Sequence, residues 1–204
     1  LVCESTYGNR EHVPIDQEAE LAPIIRRVAA RGGVIVIPAF AVGRAQALML
    51  HIARLRERKE IPRVPVYLNS PMAINATRHY HAHHSEHHVS EEDCQRMFDV
   101  ATFVNTVEES KALNRQRGPM SIISASGMAT GGRVLHHIEA FGPDDRNAIL
   151  LAGYQAGGTR GAALAAGKPS LRMFGREVPI RAEVVQLQGF SGHADAGELL
   201  DWMR

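Results

Sequence analysis

Short, strongly apolar runs alternate with helix-like stretches along almost the whole chain. Several of these runs are apolar at nearly every position, and not only at every second one. A continuous apolar run is typical of a strand that is buried on both faces of a sheet. Six runs are candidate strands, at residues 33–40, 64–69, 101–106, 120–125, 148–154 and 182–187.

The segments between these runs carry helix signals. Asp16 is placed to cap a helix, a second helix is predicted from about residue 43 to 58, and Ser70 and Ser90 are typical helix starts. Strands that alternate with helices indicate βαβ units with right-handed crossovers. The sequence therefore predicts an α/β fold with a mostly parallel, doubly wound sheet of about six strands flanked by helices.

Composition limits the classes of protein to consider. A chain of 204 residues forms one large domain or two small ones, and its 23 basic and 22 acidic residues give a formal net charge of +1. This balance excludes a strongly basic nucleic-acid binder but leaves a local basic cleft open. Cys3 and Cys94 have no CxxC spacing, so a reducing, cytoplasmic location fits. The sequence has no 18-residue apolar run and no signal peptide, and we expect no membrane partner.

Polar and glycine-rich segments follow four of the predicted strands. They lie at residues 41–46, at Ser70, at 126–133 and at 155–160. Ligands of open α/β sheets bind beyond the carboxyl ends of the strands, where such segments meet. We therefore expect these four segments to line one cleft.

Residues 121–133 (SIISASGMATGGR) indicate a strand, a glycine-rich turn and a helix start. The backbone N–H groups at such a start suit a phosphate, and Ser124, Ser126, Thr130 and Arg133 offer further donors. The alternative is that the glycines only permit a tight turn and close packing of the helix. The spacing matches neither a P-loop nor a dinucleotide-binding motif.

Three arginines and a serine are further candidates for phosphate contacts. Arg10 lies in the first polar turn, and Arg44, Ser70 and Arg160 follow predicted strand ends. A guanidinium presents a planar fork that matches a phosphate. The alternative for each arginine is an ordinary solvated position at a turn or helix start.

Glu4 and His193 are the candidates for acid–base chemistry. Glu4 ends an apolar segment, where a carboxylate needs a partner, and His193 precedes a predicted helix. A histidine there can donate a proton near neutral pH. Spacing cannot bring the two together, and the alternative for His193 alone is a polar surface or capping residue.

A run of histidines at residues 79–88 (HYHAHHSEHH) resembles a metal site. In a helix, His79, His83 and His87 would share one face, a spacing that can bind zinc. The run lacks the Asp–His ending of an HxHxDH loop, and HExxH is absent. We therefore interpret it as a solvated helix face and assign no metal ligand in this chain.

Four motifs together resemble the β-CASP subgroup of metallo-β-lactamase-fold nucleases. They are residues 4–10 (ESTYGNR), 37–46 (IPAFAVGRAQ), 121–137 (SIISASGMATGGRVLHH) and 189–195 (GFSGHAD). Their order and spacing match over essentially the whole chain, which is far more specific than any single motif. Asn9 replaces an acidic residue of the first motif, and the stretch of Ala162 and Ala163 lacks the arginine that the family pattern leads us to expect there.

The resemblance implies a site shared with another domain. In this family the β-CASP region is inserted into a metallo-β-lactamase domain, and RNA or DNA passes between the two. It implies that Glu4 pairs with His193, which contacts the scissile phosphate or protonates the leaving oxygen. Two zinc ions are implied for the full-length enzyme, held by the lactamase domain and not by this chain.

The resemblance also implies boundaries and partners. Residues 1–10 would form an edge of the lactamase domain, 11–188 the β-CASP domain and 189–204 the return into the lactamase domain. The chain opens at Leu1 inside a motif, so we expect a fragment. The expected partners are single-stranded RNA, the protein's own lactamase domain and, in a homodimer, a second copy.

The leading functional hypothesis is the RNA-gripping part of a zinc-dependent ribonuclease that hydrolyses phosphodiester bonds. The isolated chain is predicted to be inactive, because the implied metal-binding half is not in it. A non-catalytic RNA-binding module is one alternative. A free-standing nucleotide-binding α/β domain is another, against which the missing GxGxxG counts.

Overall fold

The computed structural model of the protein describes residues 2–12 and 14–204, and Leu1 and Val13 lie outside the described residues. Strands and helices alternate along the described chain. The strands are β1 Val34–Pro38, β2 Val66–Leu68, β3 Thr102–Phe103, β4 Met120–Ser124, β5 Ala148–Ala152, β6 Ser170–Met173, β7 Arg176–Pro179 and β8 Glu183–Leu187. The helices are α1 Gln17–Ala30, α2 Arg44–Glu57, α3 Pro71–Ala82, α4 Glu91–Asp99, α5 Val107–Leu113, α6 Arg133–Phe141, α7 Arg160–Ala165 and α8 Ala196–Met203.

Within the described residues, six strands form a parallel sheet in the order β3-β2-β4-β1-β5-β8. Each of these strands lies inside one of the six segments predicted from the sequence. The central strands β1, β4 and β5 are buried at every position, as their continuous apolar runs predicted. The predicted α/β class and the parallel sheet of about six strands are confirmed.

Helices cover both faces of the sheet, so alternate side chains of one strand enter different cores. Ile35 and Ile37 of β1 pack with residues of α1, α2, α3 and α4, whereas Val34 and Val36 pack with residues of α6. Each fully buried aliphatic side chain contributes roughly 1.5–3 kcal/mol relative to an exposed one. Burial on both faces therefore fixes the sheet between the two helical layers.

Helix starts follow the capping signals of the sequence. The side chain of Asp16 accepts the N–H groups of Glu18 and Ala19 at the start of α1. Ser70 caps α3 with proline in the first turn, and Ser90 caps α4. These caps satisfy backbone donors that would otherwise lack a partner at a helix start.

The sequence analysis did not predict the short helix α7, the β6–β7 hairpin or helix α5. Strands β6 and β7 form an antiparallel hairpin beside the second core, and Leu171, Met173 and Val178 are buried in it. Helix α5 is held by a capping box between Thr106 and Glu109. These segments are short, so hydrophobic periodicity gave little signal.

The histidine run is helical only in its first part, so the proposed face does not form. Helix α3 ends at Ala82, His83 follows it, and a short 3-10 helix spans His84–Glu86. The geometry in which His79, His83 and His87 share one helix face is therefore wrong. His87 instead bonds the backbone oxygen of Tyr80, and His83 pairs with Glu86.

Candidate functional site

The loops that follow β1, β4 and β5 meet at the carboxyl edge of the sheet. Together with the segment 189–193 they line a cavity of about 540 Å³. Phe40 and Arg44 come from the first loop and helix, Met128 from the second loop, Tyr154 from the third, and His193 from the last segment. Loops after three of the strands thus meet in one cavity because parallel strands end at the same edge. Ser70 and residues 155–160, which the sequence analysis placed in the same cleft, do not line this cavity, and Arg160 lines a second one.

His193 lines this cavity, and Glu4 lies beside His193. Oε2 of Glu4 is 3.3 Å from Nδ1 of His193, and Oε1 accepts the N–H of Ala194 at 2.9 Å. The N–H of Thr6 donates to Oε2 at 3.0 Å. This backbone bond, followed by that from Ala194 and the charge of His193, holds the pKa of Glu4 below its usual 4.5. Glu4 is therefore ionised at neutral pH and fixes Nδ1 of the ring as the nitrogen that faces it.

The backbone around His193 is tied to the first polar segment of the chain. Tyr7 forms an isolated parallel bridge with Asp195, and the N–H of Ala196 donates to the oxygen of Arg10 at 3.0 Å. The ring of Tyr7 lies 5.8 Å from that of His193, and the guanidinium of Arg10 lies 4.7 Å above the Tyr7 ring. Arg10 is thus held near the Glu4–His193 pair by a cation–π contact.

Arg44 is half-buried at the start of α2. One of its guanidinium nitrogens donates to the backbone oxygen of Ala152 at the end of β5. Burial holds the pKa of Arg44 below its usual value, with the nearby Tyr7 acting in the opposite direction. A side chain on Gly153 would overlap this guanidinium, so the glycine is needed for the contact.

The glycine-rich loop after β4 is shaped largely by internal contacts. Oγ of Ser126 accepts the N–H of Thr130 at 3.0 Å and also lies 3.0 Å from Oγ1 of Thr130. A Cβ at Gly132 would lie 2.7 Å from the oxygen of Ala125. The alternative interpretation, in which the glycines serve the turn and its packing, accounts for this conformation.

Three of the predicted phosphate-binding residues have extensive contacts within the protein. Ser124 is buried and donates to the oxygen of Asn69, and buried Ser70 caps α3. Arg133 donates to Oδ1 of Asn69 at 2.8 Å and to two backbone oxygens after β3. The two serines are buried and three acceptors hold the guanidinium of Arg133, so all three residues stabilise the fold, and their contact with phosphate stays a prediction.

Arg160 and Thr130 lie apart from Glu4 and His193. They line a second, open cavity of about 740 Å³ together with Lys168 and Arg172. Arg160 donates to the backbone oxygens of Arg172 and Thr130, at 3.0 and 3.3 Å. The predicted residues thus divide between two neighbouring surfaces, and the second one is basic.

A buried polar network was missed by the sequence analysis. His137 is fully buried on α6, with Nε2 2.7 Å from the amide nitrogen of Asn69 and Nδ1 2.6 Å from Oδ1 of Asn114. Burial, with the nearby charges of His136 and Arg133, lowers the pKa of His137 to about 4. Its ring is therefore neutral at pH 7, and Asn69 links it to Arg133. The signal in the sequence that could have revealed this network is a histidine on the apolar face of a predicted helix.

Among the described residues, one group approaches the geometry of a metal site. It consists of His12, Asp195 and Glu198. However, Asp195 and Glu198 form the capping box of α8, Asp195 also accepts the N–H of His12, and Nε2 of His12 bonds the oxygen of His193. These donor atoms are committed to protein partners, so the group does not fit a zinc centre.

The length and hydropathy of the helices bear on membrane association. In the part of the chain that the structure describes, no helix is both long and apolar enough to cross a membrane.

The fold and the cleft define a parallel α/β domain with a carboxylate–histidine pair at the carboxyl edge of its sheet. The chain belongs to the Beta-Casp domain family, which its residues 45–164 match. Residues 177–204 match the Zn-dependent metallo-hydrolase RNA specificity domain. These matches confirm the resemblance predicted from the four motifs.

Curated relatives match over the whole chain but extend beyond it. Ribonuclease TTHA0252 of Thermus thermophilus is 40% identical over 212 residues, which cover 100% of this chain and 48% of that protein. An RNase J-like protein of Methanocaldococcus jannaschii is 31% identical, and the match covers 100% of this chain and 48% of that protein. Transcription termination factor FttA of Methanosarcina mazei is 32% identical, and the match covers 100% of this chain and 34% of that protein. The chain thus spans about a third to a half of the length of these relatives.

Proposed function

We propose that this chain forms the RNA-contacting wall of a ribonuclease active site. The observation that carries the proposal is the Glu4–His193 pair, whose histidine lines a cleft built by strand-end loops. The names of two relatives, a ribonuclease and an RNase J-like protein, support RNA as the substrate. The reaction would be the hydrolysis of a phosphodiester bond.

His193 has the position and chemistry to act on the leaving group. Its Nδ1 faces the ionised Glu4, so Nε2, on the opposite side of the ring, is the nitrogen that faces a substrate. As water adds to phosphorus and the bond to the leaving ribose oxygen breaks, that oxygen takes a proton from Nε2. Glu4 orients the ring and stabilises the imidazolium that precedes the transfer.

The arginines around the cleft would hold the RNA backbone. Arg10 lies beside the Glu4–His193 pair, Arg44 lines the same cavity, and Arg160 lines the basic surface next to it. Ser126 and Thr130 lie on the loop between the two cavities and would add hydroxyl contacts. Such contacts position the strand without reading its sequence.

The zinc ions of the family would be held by residues outside this chain. The donor set of His12, Asp195 and Glu198 is committed to helix capping and backbone contacts. We therefore propose that a lactamase domain of the complete protein holds the two zinc ions.

The segments expected to join that domain lie together at one end of the molecule. Residues 2–10 and 189–204 meet through the Tyr7–Asp195 bridge, and Leu200 and Trp202 of α8 are exposed beside them. We propose that this end packs against the protein's own lactamase domain, or against a second copy, and that residues 11–188 form the β-CASP domain.

The experiment that tests the proposal is an assay of RNA binding and cleavage with the complete gene product that contains this chain. Cleavage of labelled RNA that depends on Glu4 and His193 would support a ribonuclease. RNA binding without cleavage would favour the non-catalytic RNA-binding module instead. A complete protein that neither binds nor cleaves RNA would refute both.

A further inference from the structure

An apolar wall lines the cavity next to His193. Phe40 and Val42 follow β1, Met128 follows β4 and Tyr154 follows β5. Phe40 is 45% exposed, Val42 62% and Tyr154 42%. Two exposed aromatic rings on loops after neighbouring strands are unusual, because such rings are normally buried in a core or an interface.

The ring of Phe40 is held against the backbone on one side. A Cβ at Gly127 would lie 2.9 Å from its Cδ2 and 3.0 Å from its Cε2, so only glycine lets the ring lie there. The rest of the ring borders the cavity. Phe40 is therefore fixed in place while part of its surface stays open to a ligand.

The charged and polar groups of the cavity are largely engaged with the protein itself. Nδ1 of His51 is 3.0 Å from Oε1 of Glu18, and the amide of Gln17 donates to the oxygen of Gly189. One guanidinium nitrogen of Arg44 donates to the oxygen of Ala152. Apart from the other guanidinium nitrogens of Arg44 and the ring of His193, a phosphate on this wall would meet few unengaged donors. An uncharged, planar group suits the wall better.

We propose that Phe40 and Tyr154 form a stacking subsite for one nucleobase of the strand whose neighbouring phosphate lies at His193. The inference rests on the proposed function, because it takes RNA as the ligand. Every base has a π-face, so aromatic side chains stack on a base whatever its identity. The subsite therefore places the strand without selecting its sequence.

The test measures the cleavage of an RNA strand that has one cleavable phosphate. All other linkages of the strand are resistant phosphorothioates. The complete gene product is used, and a single abasic nucleotide is moved through successive positions on each side of that phosphate. We expect one position at which the missing base lowers kcat/KM about 5- to 100-fold, mainly through KM. Phe40→Ala and Tyr154→Ala should cause a similar loss with intact RNA and should then be insensitive to the abasic nucleotide there.

A fluorescent base gives a second readout that does not depend on cleavage. 2-Aminopurine loses fluorescence when it stacks, so at that same position it should be quenched by the wild-type protein and not by Phe40→Ala. Tyr154→Phe, which keeps the ring, should behave as the wild type. Phe174→Ala is the matched control, because Phe174 is 51% exposed on the β6–β7 hairpin and stacks on His136 away from the cavity.

The outcomes separate this inference from the proposed function. If RNA is cleaved but the abasic effect is the same in Phe40→Ala, Tyr154→Ala and wild type, the subsite is refuted and the ribonuclease proposal stands. The subsite is also refuted if these variants lower only the melting temperature, which would mean that another part of the protein covers the wall. A wild-type protein without RNA binding or cleavage refutes both proposals.

Discussion

The carboxylate of Glu4 lies 3.3 Å from Nδ1 of His193, although 189 residues separate the two in the chain. Both side chains are exposed, and the backbone on each side is tied down by the Tyr7–Asp195 bridge and by the bond from Ala194 to Glu4. The pair is thus positioned by the chain around it and not by burial.

Replacing His193 with alanine should lower RNA cleavage by the complete protein about 10²–10⁴-fold, because the leaving oxygen loses its proton donor. RNA binding should change little. Glu4→Gln should cause a smaller loss, since the amide keeps its size but not its charge. Single-turnover rates measure this, and His83→Ala, an exposed histidine paired with Glu86, is the control. Wild-type turnover in His193→Ala would refute the assigned role.

The phosphate-contact prediction concerns Arg10, Arg44 and Arg160. Removing any one of them should weaken the binding of all RNA sequences alike and reduce the slope of log K against log salt by about one unit or less. Titrations at several salt concentrations with three unrelated RNA sequences measure this. Arg204→Ala, which removes an exposed arginine paired with Asp201 at the far end of α8, is the control. A loss confined to one sequence would contradict backbone contact.

Acid should destabilise the fold through His137. The pKa of its ring is about 4 in the folded protein and 6.5 in the unfolded chain, so between these values the unfolded state binds more protons. The contribution of His137 to the free energy of unfolding is fully present above pH 6.5. It is lost as the pH falls towards 4, and the loss amounts to about 3 kcal/mol at most. Urea unfolding of wild type and His137→Gln from pH 4 to 7.5 measures it.

His79→Gln, an exposed histidine, is the control for that series. Its free energy of unfolding should depend on pH as in the wild type. That of His137→Gln should lose most of its change between pH 4 and 6.5. Equal slopes in all three proteins would show that His137 does not couple folding to protonation.

Gly33→Ala should destabilise the protein strongly. A Cβ at this position would lie 1.8 Å from the backbone oxygen of Arg146, and a backbone atom cannot move aside as a flexible side chain can. We expect a loss of about 1–3 kcal/mol or more in the free energy of unfolding. Gly157→Ala, where a Cβ meets nothing within 4 Å, should change it by less than about 1 kcal/mol. Similar losses for both would contradict the close packing described at Gly33.

The isolated chain should not cleave RNA when zinc or manganese is added. The donors of His12, Asp195 and Glu198 are engaged, and His83 and His87 have their own protein partners. Incubation of the purified chain with labelled RNA and each metal measures this. Metal-dependent cleavage that disappears when His79, His83 and His87 are replaced would overturn both the placement of the metal site and the interpretation of the histidine run.

The sequence by itself determined the class of fold and the edge at which the site lies. Strands such as β1 and β5 are buried on both faces, so every one of their positions is apolar or small. Such a run lies within a few consecutive residues and is visible in the sequence. The motif around Glu4 and the motif around His193 were also recognisable, because each is a short run of specific residues. Because the strands are parallel, the polar loops that follow them lie at the carboxyl edge of the sheet.

Only the tertiary structure decided which of these residues meet and which are engaged elsewhere. Arg133, Ser124 and His137 all converge on Asn69, a contact set that crosses several elements and leaves no spacing in the sequence. The aromatic wall of Phe40 and Tyr154 depends on Gly127 and on the pairing of β1 with β5. Contacts between distant segments are set by packing, because a side chain's partner is chosen by the space left around it and not by its place in the chain.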